Sequence, residues 1–158
     1  MTRSLARAIL GAWRLQRWEV VRADGSRREP FGPDPSGLIL YTPDGWMSAT
    51  IMAPHRRRLS HANPRLAPES ERAAAFDGYF SYAGRWRVVD GALHHEVTVA
   101  LNPAMVGTLQ VRAARLGART LTLCATESVG AELRTHRITW RRPPRRRTTR
   151  RPQERHDR

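Results

Sequence analysis

The chain contains no lysine, so its positive charge comes from arginine alone: 28 Arg stand against 14 Asp and Glu, a formal net charge of +14. Cysteine is almost absent. Cys124 stands alone, which rules out an intramolecular disulfide and a cysteine-rich metal site. No window approaches the ~18 apolar residues of a membrane span. The opening run MTRSLARAILGAW is too short and too broken for a signal peptide, so a cytoplasmic protein without membrane association is expected. A glycine-rich phosphate loop, a P-loop lysine and a nucleophile elbow are also missing, so nucleotide-dependent chemistry is not expected and no cofactor is implied. The six His, among them His55 and His61, show no spacing that would supply the three or four converging ligands of a zinc site. No metal is expected.

What is present fits one small domain. The chain has 158 residues and a hydrophobic share of 40%, enough for a single core. Charge is placed unevenly: residues 141–158 carry nine Arg against Glu154 and Asp157, half of the whole excess. Pro143, Pro144 and Pro152 interrupt this tail, and no hydrophobic residue follows Trp140. It has too little apolar surface to fold. The division expected is a domain over 1–142 and a disordered Arg-rich tail over 143–158. The tail could contact nucleic acid through phosphate neutralisation, or be a solvated extension; the folded domain is the expected carrier of function.

Within 1–142, turn signals recur at short intervals, and the stretches between them mostly alternate with period two, the mark of an antiparallel sheet. A first strand is read from Gly11 to about Val21, ending at Asp24-Gly25. Leu38–Tyr41 and Trp46–Met52 flank Thr42-Pro43-Asp44-Gly45, a hairpin turn in which Pro sets φ and Gly accepts a positive φ. Pro68-Glu69-Ser70-Glu71 opens a short helix with acids in its first turn, which Gly78 ends; a further turn is read at Ser4–Leu10. Tyr79–Val89, Leu93–Leu101, Val106–Leu116, Thr120–Ala125 and Glu132–Trp140 complete roughly eight strands, the number that closes a small barrel around one ligand. Closure removes exposed edges; an open sandwich would use the same pattern.

Several stretches, in this order, carry a resemblance: Gly11-Ala12-Trp13-Arg14-Leu15, Pro30-Phe31-Gly32-Pro33-Asp34-Pro35 with Gly37, Tyr41 to Ala49, Phe76-Asp77-Gly78-Tyr79 through Gly84, His94-His95, Pro103 with Val106-Gly107-Thr108, and Trp140-Arg141-Arg142. Together they cover most of residues 10–142. In them the chain resembles the bacterial lipocalin-like domain family, a branch of the calycin barrels. The resemblance implies a mainly β protein, a closed antiparallel barrel with one short helix, that binds a small molecule. Related barrels of specialised metabolism include cyclases and isomerases that need no cofactor. It also implies that Trp13 packs near the closed end against a basic residue of the last strand, here Arg137 or Arg141. Glu96 and the tail depart from the family pattern.

Alternation selects the candidate residues. His95 shares its face with Leu93, Val97, Val99 and Leu101, so an apolar-in strand sends it into the cavity as a general acid/base or ligand anchor; a structural histidine bonded to a neighbouring strand is the other reading. Tyr82 shares a face with Gly84, Trp86 and Val88, and Tyr41 closes the strand entering the hairpin. These phenols could orient a carbonyl or hydroxyl in an oily pocket, or simply pack. Gly84 in mid-strand suggests a close approach or a bend. His95, Tyr82 and Tyr41 are the candidate catalytic residues; Trp86, Val97, Val99, Leu109 and Val111 are the candidate ligand-binding ones. For the strand after Gly107, apolar-in places Leu109 and Val111 inside and Gln110 and Arg112 outside, whereas a polar cavity would invert this and make Arg112 an anion clamp. Arg56, Arg57 and Arg58 could line the mouth or be solvated. The expected partner is a small apolar or weakly acidic organic molecule. The readings kept open are a cofactor-independent cyclase or isomerase, a non-catalytic carrier and, as the lesser one, nucleic-acid binding through the tail.

Overall fold

A computed structural model describes residues 2–144, with side chains from Leu5 onward; the expected tail beyond Pro144 lies outside the described residues. Chain order is α1 (Thr2–Ala8), β1 (Gly11–Arg22), β2 (Arg27–Arg28), β3 (Ser36–Tyr41), β4 (Trp46–Met52), α2 (Glu69–Asp77), β5 (Tyr79–Val89), β6 (Ala92–Ala100), β7 (Leu109–Leu116), β8 (Thr120–Val129) and β9 (Glu132–Arg141). Eight of the strands form one antiparallel meander, which the β1–β9 pairing closes into a barrel. The short β2 only folds back on β1, pairing Val20 with Arg28 and Val21 with Arg27. Among the described residues, no helix is long and apolar enough to cross a membrane.

Local chemistry explains the joints. The β3–β4 hairpin closes where Gly45 takes φ 86°, a left-handed conformation that suits glycine. Before β7, Asn102 and Pro103 open a single 3-10 turn over Pro103–Met105, with the Asn102 side chain accepting from the Ala104 amide at 3.0 Å. That turn delays β7 to Leu109, later than the Val106 start expected from alternation.

The barrel is plugged at the end where α1 lies. Ile9, Trp13, Tyr41, Leu93, Leu121 and Trp140 are fully buried there, and the Trp13 indole N–H donates to the Ile9 carbonyl at 2.7 Å. The guanidinium of Arg142 lies 4.0 Å over the Trp13 ring and donates to the carbonyls of Leu10, at 2.9 Å, and Ala8. The partner is therefore Arg142, not Arg137 or Arg141. Arg137 points outside the barrel, where it lies 3.3 Å from Glu19. Glu19 is buried on that outer face, with Arg17 and Arg27 each 3.4 Å away, and the cluster ties β1, β2 and β9 together.

Two irregularities decide what faces inward at the opposite end. The first is a bulge in β6: Gly84 pairs with Val97 but Ala83 pairs with Val99, so Thr98 is an extra residue and alternation shifts beyond it. The second lies between β7 and β8. Their pairing runs only from Leu116↔Leu121 to Ala113↔Cys124. Beyond it, Leu109–Arg112 pair only with β6, and Ala125–Val129 pair only with β9.

Candidate functional site

Above the plugged end lies a cavity of about 530 Å³, within the range of small-molecule sites. Its apolar wall comes from Ile39, Ala49, Ile51, Leu123 and Ile138 on neighbouring strands, with Trp18 and Trp140. Polar groups concentrate on one side, where Gln110 and Arg112 of β7 face inward. The apolar-in assignment of β7 is thus reversed. Leu109 and Val111 turn their side chains outward, 47% and 45% exposed, and touch the cavity only along the strand edge left unpaired beside β8. Arg112 can face inward because the parted strands keep that wall near solvent and Gln110 Oε1 accepts from its Nη2 at 3.2 Å. Gln110 in turn donates from Nε2 to Thr108 Oγ1 at 2.9 Å.

The three residues selected for chemistry come together, but only one of them reaches the cavity. His95 is fully buried between two phenols, with Nε2 3.1 Å from Tyr41 Oη and Nδ1 2.9 Å from Tyr82 Oη. Tyr82 lines the cavity floor; His95 and Tyr41 lie beneath it. Proton placement follows from bookkeeping of donors. Among the described residues Tyr41 has no other hydrogen-bond partner, so its hydroxyl donates to Nε2; an orphaned buried O–H would cost ~1–3 kcal/mol. Nδ1 then carries the imidazole proton and donates to Tyr82 Oη. The Tyr82 proton is left free to donate into the cavity. Burial, then the nearby charge of Arg112, then His94 lower the His95 pKa to about 3, so the ring is neutral. Burial also raises the Tyr41 and Tyr82 hydroxyls above the ordinary phenol value, in Tyr41 with help from the neighbouring Tyr82; the charge of Arg112 opposes the rise in both, and in Tyr82 its hydrogen bonding does too.

The remaining candidates are placed differently. Trp86 stands edge-on to Tyr41 at 5.2 Å and donates from its indole to the Thr42 carbonyl at 3.1 Å; Val97 is core. Neither reaches the cavity. Val99 is 65% exposed because the bulge at Thr98 turns it outward. Glu96, the departure noted in the sequence, pairs with Arg87 on the outer face. Arg56 donates to the Ala75 carbonyl at 2.9 Å and stacks over Tyr79 at 5.1 Å, so it serves the α2 connection and does not line the cavity mouth.

A second histidine, missed by sequence reasoning, does line the cavity. His136 accepts from the Trp18 indole N–H on Nδ1 at 3.2 Å and lies 2.9 Å from Glu127 through Nε2. An indole can only donate, so the proton sits on Nε2. No local signal marks this pair; it depends on the register that sets β8 against β9 and β1. Among the described residues no three His, Cys, Asp or Glu side chains gather as a metal site would require.

The closed antiparallel barrel with its internal cavity is the calycin arrangement, and the family model of the lipocalin-like domain matches residues 10–143. The chain belongs to the lipocalin-like domain family. The matched span runs from the residue before β1 to the residue after Arg142, so it takes in the whole barrel and the guanidinium that closes its plugged end. A comparison with curated proteins finds no match. A lipocalin-like barrel is consistent with small-molecule binding, and in this chain Tyr82 and Arg112 are among the polar residues that line the cavity.

Proposed function

We propose that the protein is a carrier or receptor for a small, mainly apolar organic molecule that presents an oxygen to the Tyr82 hydroxyl. The observation that carries this reading is the Tyr41–His95–Tyr82 chain, which engages every one of its donor protons except that of Tyr82 at the cavity floor. A fixed donor in an apolar chamber orients a ligand without a large desolvation cost. The test is native mass spectrometry of the full chain purified from its own producer, with extraction of bound molecules. A stoichiometric organic molecule in the wild type, with occupancy reduced at least fivefold in Tyr82→Phe, is expected. Equal occupancy in both would overturn the reading.

A second reading, a cofactor-independent isomerase or cyclase, is favoured by the same chain. A hydrogen bond from Tyr82, strengthened by Nδ1–H behind it, would stabilise negative charge developing on a ligand oxygen. His95 would act through Tyr82, since it does not reach the cavity. Full transfer of a proton along the chain would leave charge on Tyr41, which burial opposes; stabilisation through the hydrogen bond is the step the chain supports. Conversion of the extracted ligand by wild type, slowed in Tyr41→Phe with unchanged affinity, would favour this reading over carriage.

A further inference from the structure

We infer that the ligand carries one anionic group, of the carboxylate or sulfonate kind, and that Arg112 holds it. This deepens the small-molecule reading and rests on it. Arg112 lies half-buried in the cavity wall, and among the described residues no carboxylate comes within ion-pair distance of it. Other arginines behave differently: Arg17, Arg27, Arg87 and Arg137 each pair with an acid on the outer surface, and Arg22 pairs with Glu132. A guanidinium drawn partly out of water without a counter-charge is unfavourable, and the Gln110–Thr108 chain holds this one in place. It therefore stands as a preset donor fork: Gln110 engages one of its five N–H groups at 3.2 Å, the Tyr82 oxygen lies beside the guanidinium, and the rest of the fork is left to a ligand.

The neighbouring groups point the same way. The free Tyr82 O–H is a donor. Trp140 lends its ring to the wall, while its indole N–H is buried within the packing and has no partner among the described residues. The acceptors nearby are engaged: Gln110 Oε1 by Arg112, and His136 Nδ1 by Trp18. Glu127, the one acid on the wall among the described residues, is held by His136. Such a wall offers donors and asks for acceptors, and a guanidinium matches a planar or trigonal oxyanion through paired N–H bonds. The parting of β7 from β8 begins at Arg112, so the charged head would sit at the seam with its apolar body toward Ile39, Ile51 and Leu123.

Two dyes that differ by one charge test this on the full chain: 1-anilinonaphthalene-8-sulfonate and its uncharged parent N-phenyl-1-naphthylamine. Wild type should bind the sulfonate at least tenfold tighter than the parent. Arg112→Gln should abolish that preference while leaving affinity for the parent within twofold, and Arg112→Lys should keep part of it. Arg115→Gln removes the same charge from the exposed outer face of β7 and should change neither affinity. An equal loss in Arg115→Gln would mean attraction to the basic surface and overturn the inference, as would a sulfonate preference that survives Arg112→Gln. If the parent binds and the sulfonate gains nothing, the anion site falls and the cavity reading stands. If neither dye binds, both fall.

Discussion

A Cβ placed on Gly84 would lie 1.8 Å from the carbonyl oxygen of Glu96. The β6 bulge brings that carbonyl over β5 at the one position where no side chain intervenes, and the same bulge determines that Val97 packs inward while Thr98 and Val99 turn out. Gly84→Ala must push the two strands apart. A loss of about 3 kcal/mol is expected, at the upper end of overpacking costs, read as a lower urea midpoint with an unchanged slope. A midpoint equal to that of wild type would show that the bulge yields freely.

Stability should fall in mild acid through His95. Its ordinary pKa of 6.5 is lowered to about 3 in the folded chain, so between these values the unfolded chain binds a proton that the folded chain does not. The contribution is fully present above pH 6.5 and is lost as pH falls, by about 1.4 kcal/mol for each pH unit across the window. His95→Asn should be less stable at pH 7 but show a shallower decline between pH 6.5 and 4.5 in denaturant titrations. Parallel declines would assign the acid sensitivity to other groups.

Arg142 should matter more than an ordinary arginine near a strand end. It stacks on Trp13 and holds two carbonyls of the segment joining α1 to β1. Arg142→Met should lower stability by roughly 2 kcal/mol, combining a cation–π contact and charged hydrogen bonds. Arg142→Lys should recover less than half, because an ammonium cannot stack flat and fork to two oxygens together. Thermal unfolding followed by tryptophan fluorescence reads both, and full recovery by lysine would show that charge alone suffices.

Much of the barrel was legible because its rule is local. Turn residues and alternation located β1, the β3–β4 hairpin, α2, β5 and β9 to within a residue or two, and an apolar-in strand sent His95 inward, with Tyr82 and Tyr41 as the candidate phenols. What they could not reveal is where alternation breaks or reverses. The bulge that exposes Val99 adds one residue to β6, and only its fit against Gly84 shows where. The face of β7 depends on the polar chain from Thr108 through Gln110 to Arg112, and alternation between Leu109 and Val111 outweighed that possibility. The depth of His95 is likewise a three-dimensional fact: a side chain can point into a barrel and still lie under its floor. His136 and Glu127 meet only through strand register.

The seam between β7 and β8 has a thermodynamic corollary. Four zipped positions anchor the two strands near the plugged end, while the runs 109–112 and 125–129 lack each other's amide partners and are each held by one neighbouring strand alone. An occupant bridging them becomes part of the wall, so the cooperativity of that half is a function of ligand activity, rising as RT ln(1 + [L]/Kd). Amide exchange in those two runs, compared between emptied and loaded protein, would then serve as an occupancy gauge, with the plugged half as its internal reference.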